Sequence, residues 1–402
     1  MSKLKRIEYG LLFLILLLLP TQLGRHFWPQ FSFIYSLPID YLSPTIYFWD
    51  ILVVLLFSLF LLKKSVLNKV ALNLAFFFIL TQSASLLNGG NLGAGLVRLE
   101  QYCIAGLLGI YLASTNLKEI KSIIFWGLSL SICAEAVLAV AQFIKTSTLG
   151  FWIFGERSFS ISTPGIAKFD FYGLEFLRPY GTFPHPNVLA GFMVIVVLLL
   201  SQSRPKVSRI YPTTFLAGLT ILLTVSRMAI IAGLAAALLS FKKKARLLLL
   251  LIVLLMLPIL YTRFSSVFTF DVLSLIRREE QIGIAFNLWS SHQLTGVGLN
   301  NFIIAASDQL LAGPSRFLQP VHNIFLLELV ETGIIGLVGF ILLIGYPIKK
   351  IISQQSLVIS LLLWVVLIFL GTLDHYFLTL PQGYRLLFLV WGLSLSSSPN
   401  EV

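Results

Sequence analysis

The sequence predicts an all-α polytopic membrane protein of about twelve transmembrane helices, with two long outer loops that carry short interfacial helices. Three observations predict it. Apolar residues make up 57% of the 402 and charged residues only 11%, so most helices must be apolar all round, which suits lipid and not a soluble core. Most of the apolar runs continue for about seventeen residues or more, a helical signal, whereas strands of a membrane barrel are shorter and alternate. Lysines and arginines gather in the short segments between alternate pairs of runs, as topology signals do.

The runs follow in order. Met1 to Arg6 is basic and precedes a first run from Tyr9 to Leu23; Arg25 and Trp28 come next without a small-residue cleavage pattern, so this run is expected to be an anchor and not a signal peptide. Further spans are expected at 44–62, 70–87, 94–114, 121–144, 187–203, 210–225, 227–241, 247–262, 322–346, 356–373 and 384–396. With a cytoplasmic N-terminus, the inner segments hold Lys3, Lys5 and Arg6; Lys63, Lys64 and Lys69; Lys118 and Lys121; Arg204, Lys206 and Arg209; Lys242, Lys243, Lys244 and Arg246; and Lys349 and Lys350. That places both termini in the cytoplasm. All five histidines then fall outside, namely His26, His185, His292, His322 and His375. Arg178, Arg227 and Arg278 also lie in outer loops or at outer helix ends. The net charge of +12 is thus divided between inner topology residues and an outer arginine set, and nucleic acid is not an expected partner.

The two outer loops run over about residues 145–186 and 263–321. Each is too short, and too rich in Phe, Trp and Ile, to stand alone in water, so residues 1–402 are expected to form a single integral membrane domain. In the second loop Leu275, Ile282, Phe286 and Trp289 recur at helical spacing behind the cluster Arg277, Arg278, Glu279 and Glu280, which predicts an interfacial amphipathic helix. Cys103 and Cys133 sit in apolar runs without metal spacing.

Several short motifs stand at helix ends. In Arg178-Pro-Tyr-Gly-Thr-Phe-Pro-His-Pro-Asn187 the prolines stiffen the approach to a span, Asn187 can cap it, and Arg178 offers a planar cation beside the helix start. Thr224-Val-Ser-Arg227 interrupts a long apolar stretch, where an arginine either snorkels to headgroups or meets an anion. Gly296-Val-Gly298 has no strand before it and reads as a tight turn, not a phosphate loop. Within the spans Arg98, Glu100, Glu135, Glu328 and Glu331 need partners; Arg98 and Glu135 lie at similar depth and are expected to pair, and Glu331 to anchor its helix to a neighbour. Pro320-Val-His322-Asn323 puts a histidine in the first turn of a span, either closing the helix end or acting in chemistry.

The order Arg-x-x-Gly-Thr-Phe-x-His-Pro-Asn, Thr-x-Ser-Arg, an arginine upstream of Gly-x-Gly, then Val-His-Asn followed by Glu-x-Gly-x-x-Gly resembles the O-antigen ligase and polymerase family of bacterial envelope proteins. The resemblance covers about residues 178–340. One departure is Ile282, where an aromatic residue is often expected four positions after the loop arginine, and it leaves the choice between Arg277 and Arg278 open. The resemblance implies a lipid-dependent glycan transferase at the outer face of the bacterial cytoplasmic membrane, with an undecaprenyl-diphosphate-linked glycan as donor and a glycan or lipid as acceptor. It further implies His322 as general base, Arg227, Arg278 and Arg178 on the diphosphate, and His185, Asn187, Asn323 and Arg277 in support. The first turn of a helix would favour a neutral imidazole at His322. No acidic pair or metal cluster is legible in the outer loops, and Asp40 and Asp50 are ten residues apart, so a reaction without metal or cofactor is expected. Ligase and polymerase share these features. A transporter or flippase of polyprenyl-linked glycans is the alternative of a different class, but it should show midplane polar sites and repeated halves.

Overall fold

A computed structural model describes residues 3–202, 207–240, 272–310, 318–354 and 358–396, together with Leu254, Leu257, Pro258 and Tyr261. The span expected at 247–262 falls almost wholly outside these residues, as do positions 203–206, 241–246, 263–271 and 311–317. The described helices are α1 (Lys3–Leu17), α2 (Phe48–Leu62), α3 (Lys69–Ala84), α4 (Leu92–Ser114), α5 (Leu117–Lys145), α6 (Pro186–Gln202), α7 (Val207–Thr224) and α8 (Arg227–Ser240). They continue with α9 (Val272–Ser291), α10 (Phe302–Ala306), α11 (Ile324–Ser353), α12 (Val358–Gly371), α13 (Tyr376–Thr379) and α14 (Pro381–Leu395). Among the described residues, 4 helical stretches are long and apolar enough to cross a membrane: Lys69–Leu87, Leu92–Ser114, Leu117–Lys145 and Ile324–Ser353. Helices α2, α6, α8 and α12 are apolar but shorter.

Local sequence explains where the long helices begin. Asn68, Asn91, Asn116 and Asn323 stand just before α3, α4, α5 and α11, and each side-chain oxygen accepts a backbone N–H of the first turn that has no partner within the helix. Small residues set the closest packing. Helices α4 and α14 meet at Gly109 and Gly392, where a side chain on either would overlap the other helix. Helix α11 lies on α3 through Gly339 against Thr81.

Charge separates the two ends of the bundle. At one end Lys5 pairs with Glu119 at 2.6 Å, Lys63 pairs with the buried Glu8, which also accepts from Tyr111 at 3.1 Å, and Lys350 donates to the carbonyls of Leu395 and Ser396. At the other end Gln382 donates to the carbonyl of Pro20 and Arg385 to that of Thr21, each at 2.9 Å. The loop residue Thr182 also donates to Pro20, at 3.3 Å. This second end is built from loops. Strands Gly24–His26 and Thr45–Tyr47 pair antiparallel, as do Lys168–Phe171 and Leu174–Leu177.

Two expectations about buried charge resolve differently. Arg98 and Glu135 do not pair, because α4 turns Arg98 toward α13 and the Gly296–Phe302 loop, while α5 turns Glu135 toward the loop before α6. Arg98 donates to Gln101, to the Thr379 carbonyl and to Asn300 at 2.9, 2.9 and 3.2 Å. Glu135 accepts from the Thr182 N–H and hydroxyl at 2.9 and 2.6 Å. Glu331 does anchor its helix, accepting the backbone N–H groups of Asn300 and Phe302 at 2.9 and 3.2 Å.

Candidate active site around His322

Arg178 ties the first two motifs together. It is buried, its Nε donates to the Thr224 carbonyl at 2.6 Å, and an Nη donates to Asn187 Oδ1 at 2.7 Å. The cap of α6 is not Asn187. His185 fills that position, its carbonyl accepting from Val188 and Leu189 and its Nδ1 accepting the Asn187 N–H at 3.1 Å, which releases the Asn187 side chain for Arg178. Thr224 ends α7, and Val225 follows with φ of +46°, a left-handed conformation that a β-branched residue seldom adopts. Strain of on the order of 1–3 kcal/mol persists only where the surroundings over-determine the backbone, and here Arg178 holds the adjoining carbonyl. The turn delivers Arg227, half-buried, as the first residue of α8. One turn further on, Ile230, Ile231 and Leu234 line an apolar cleft of about 700 Å³ with Tyr172, Leu257 and Tyr261.

The Gly-x-Gly and Glu-x-Gly motifs form a single lock. Helix α11 is interrupted at Gly333, with φ of +65°, and the segment 293–298 supplies the hydrogen bonds that the helix forgoes. Ile334 and Ile335 donate to the carbonyls of Gln293 and Leu294 at 2.9 and 3.1 Å, while Val297 and Gly298 donate to those of Val330 and Glu331, both at 2.9 Å. Gly296 and Gly333 lie so close to the facing backbone that a Cβ on either would overlap it. The turn expected at Gly296-Val-Gly298 is therefore present, and it grips the helix that follows His322.

His322 itself precedes α11 and is not in its first turn, because Asn323 is the cap: Asn323 Oδ1 accepts from Phe325 and Leu326, both at 2.9 Å, and its amide donates to the Thr372 carbonyl at 3.1 Å. That last bond brings the end of α12 alongside. His375 packs edge-on to His322 with ring centroids 5.0 Å apart, and His322, Asp374 and His375 offer atoms within 4.8 Å of one another, a grouping that could hold a metal ion. The expectation that no such cluster exists among the outer residues is thereby corrected. Asp374 and His375 are neighbours in sequence, and the remote His322 joins them only through the fold.

Charge around the cluster comes from several elements. Burial, assisted by the nearby Arg278 guanidinium, pushes His322 down to about 3. Burial also holds His375 well below the ordinary histidine value, and His322, Arg98, His185 and Arg278 push the same way. Burial raises Asp374 to about 6, against the opposing pull of Arg278 and of two backbone N–H groups. Neutral imidazole at His322 thus follows from burial and Arg278, and not from a position inside a helix. Arg278 shares a face of α9 with the fully buried Gln281, three residues on, and Gln281 contacts His322 at 2.9 Å. Of the two adjacent arginines, Arg278 is the one that acts on His322, Asp374 and His375.

Residues 212–341 match the family model described as O-antigen ligase. That stretch of the chain is similar to the O-antigen ligase family. No curated protein matches the chain. The matched region includes Arg227, Arg278, His322 and Asn323, together with the glycine lock that holds α11. Arg178, His185, Asn187, Asp374 and His375 lie outside the match; of these, Arg178 donates to Thr224, and Asp374 and His375 group with His322, Thr224 and His322 both being within it. The sequence assigns no chemical role to Asp374, His375 or Gln281. An Asp-His pair in a short loop on the same side as His322 was the available signal for the first two, whereas Gln281 carries none.

Proposed function

We propose that this protein transfers a glycan from an undecaprenyl-diphosphate-linked donor to an acceptor hydroxyl at the outer face of the bacterial cytoplasmic membrane, in the manner of an O-antigen ligase. The observation that carries the reading is the half-buried His322, kept neutral beside Arg278 at the helix mouth. His322 accepts the acceptor hydroxyl proton as the oxygen bonds to the anomeric carbon. The bond from that carbon to the diphosphate oxygen breaks, and undecaprenyl diphosphate leaves with the electron pair. Guanidinium groups suit the charge that develops there, since their planar donors match phosphate oxygens in a water-poor site. Arg227 and Arg278 take that role. Arg178, with donors committed to Thr224 and Asn187, holds the turn that presents Arg227. The apolar cleft on the Arg227 helix suits an isoprenoid chain, with the diphosphate toward the helix start. Polymerase activity would use the same chemistry with a lipid-linked glycan as acceptor. Proton transfer to His322 requires no metal.

The test is glycan transfer by purified protein from a synthetic polyprenyl-diphosphate oligosaccharide, with and without chelator. His322→Ala is expected to lose about a hundredfold to ten-thousandfold of the rate, the usual range for general-base assistance, while still binding donor. Arg278→Lys is expected to lose rate despite keeping its charge. Near-normal transfer by His322→Ala, or abolition of wild-type transfer by chelator, would overturn the mechanism.

A further inference from the structure

Gln281 lies on the face of α9 that packs toward α11, and it is wholly buried. Its amide nitrogen donates to two backbone carbonyls, those of Gln319 at 3.0 Å and Pro320 at 3.3 Å. The other end of the amide, Oε1, stands 2.9 Å from His322 Nδ1. Reversing the amide would set its oxygen against two carbonyl oxygens, so this orientation is dictated by chemistry. An amide oxygen only accepts, and therefore His322 Nδ1 must carry a hydrogen. A neutral imidazole has one N–H, so its lone pair is then on Nε2.

We propose that Gln281 is a positioning residue, which fixes His322 in the Nδ1–H tautomer and so makes Nε2 the atom that takes the proton from the acceptor. The catalytic part of this inference rests on the general-base reading above; the tautomer part does not. Gln281 fixes more than a proton. By holding the Gln319 and Pro320 carbonyls it also fixes the two residues through which the chain approaches Val321 and His322, so ring and backbone are set from one side chain. It does this from the face of α9 that carries Arg278. Movement of α9 therefore shifts a diphosphate-binding arginine and the orientation of the base together.

The experiment labels histidine with nitrogen-15 and reads the His322 ring in the purified protein, assigned by loss of its signal in His322→Gln. A chain with five histidines makes that assignment direct. The expected result is protonated Nδ1 and unprotonated Nε2 in the wild type. In Gln281→Leu the tautomer should become mixed, and turnover should fall about tenfold to a hundredfold at unchanged donor KM, by analogy with the loss of the partner behind a metal-binding histidine. Gln281→Glu, which restores an accepting oxygen beside Nδ1 but sets a second oxygen against the Gln319 and Pro320 carbonyls, should recover the tautomer relative to Gln281→Leu and only part of the turnover. An unprotonated Nδ1 in the wild type overturns the inference without recourse to any variant. Full turnover in Gln281→Leu alongside loss in His322→Ala overturns it too, and leaves the general-base reading standing. Near-normal transfer by His322→Ala instead sinks the general-base reading, and with it the catalytic role of Gln281.

Discussion

At the scale of the residue, His322 is shaped by groups from three separate elements. Gln281 and Arg278 come from α9, Asn323 caps α11, and His375 comes from the loop after α12. A free imidazole titrates near about 6.5, and as the base it would lose activity as pH falls through that value. Burial and Arg278 bring His322 to about 3, so its base form persists in acid. Transfer is expected to stay level from neutral pH to about pH 5, and a kcat/KM profile falling with a midpoint near 6.5 would contradict this. Stability should follow the opposite logic. Between about 3 and 6.5 the unfolded chain binds the proton and the folded chain does not, so His322 favours unfolding progressively as pH drops through that window and is without effect above it. The sequence announces His322, Arg227 and Arg178 because each interrupts an apolar run or stands in a Pro- or Gly-marked turn. It does not announce Gln281, a neutral polar side chain on a helix, nor the meeting of His322 with Asp374 and His375, which only tertiary packing produces.

At the scale of the element, α9 and α11 show what periodicity can and cannot convey. The spacing of Leu275, Ile282, Phe286 and Trp289 does mark a helix, present as Val272–Ser291. The face it suggests packs only in part, at Trp289. Ile282 and Phe286 are 45% and 50% exposed, whereas Gln281, Ile284 and Ala285 are buried. Both faces of such a helix can be apolar when one meets protein and the other meets lipid, so a hydrophobic stripe loses its power to choose. The same ambiguity is why Arg277 and Arg278 are inseparable in sequence; the electrostatic reach of Arg278 to His322, Asp374 and His375 separates them. The break in α11 at Gly333 is hidden inside an apolar run, although Glu-x-Gly marks its place. Gly333→Ala should be costly because its φ is positive and a Cβ would overlap the Leu294 carbonyl. A loss on the order of 1–3 kcal/mol, read as a lowered thermal midpoint, is expected. Gly345→Ala in the same helix is the comparison, since a Cβ there meets nothing within 4 Å, and it should be neutral or slightly stabilising. Equal midpoints for the two variants would refute the lock.

At the scale of the whole molecule, the two ends of the bundle have different chemistry. Lys5, Lys63 and Lys350 meet carboxylates or helix-end carbonyls at one end. The histidine cluster, the Arg178 clamp and the paired strands draw together loop segments from distant parts of the chain. Positive charge retained beside the membrane marks the cytoplasmic side, so reporters fused after Lys64 and Lys350 should report cytoplasm. An accessible tag inserted near Gly155 should report the outside, because that glycine packs on Gln22, next to the Thr21 carbonyl that Arg385 holds at the end remote from Lys350. The chemistry depends on this arrangement. A polyprenyl-linked glycan that has crossed the membrane presents its diphosphate at the outer face, and His322 and Arg278 can meet it only if their end of the bundle faces that way. Tags near Gly155 protected from external reagent in intact spheroplasts, with Lys350 fusions exposed, would place His322 on the wrong side of the membrane for the proposed donor.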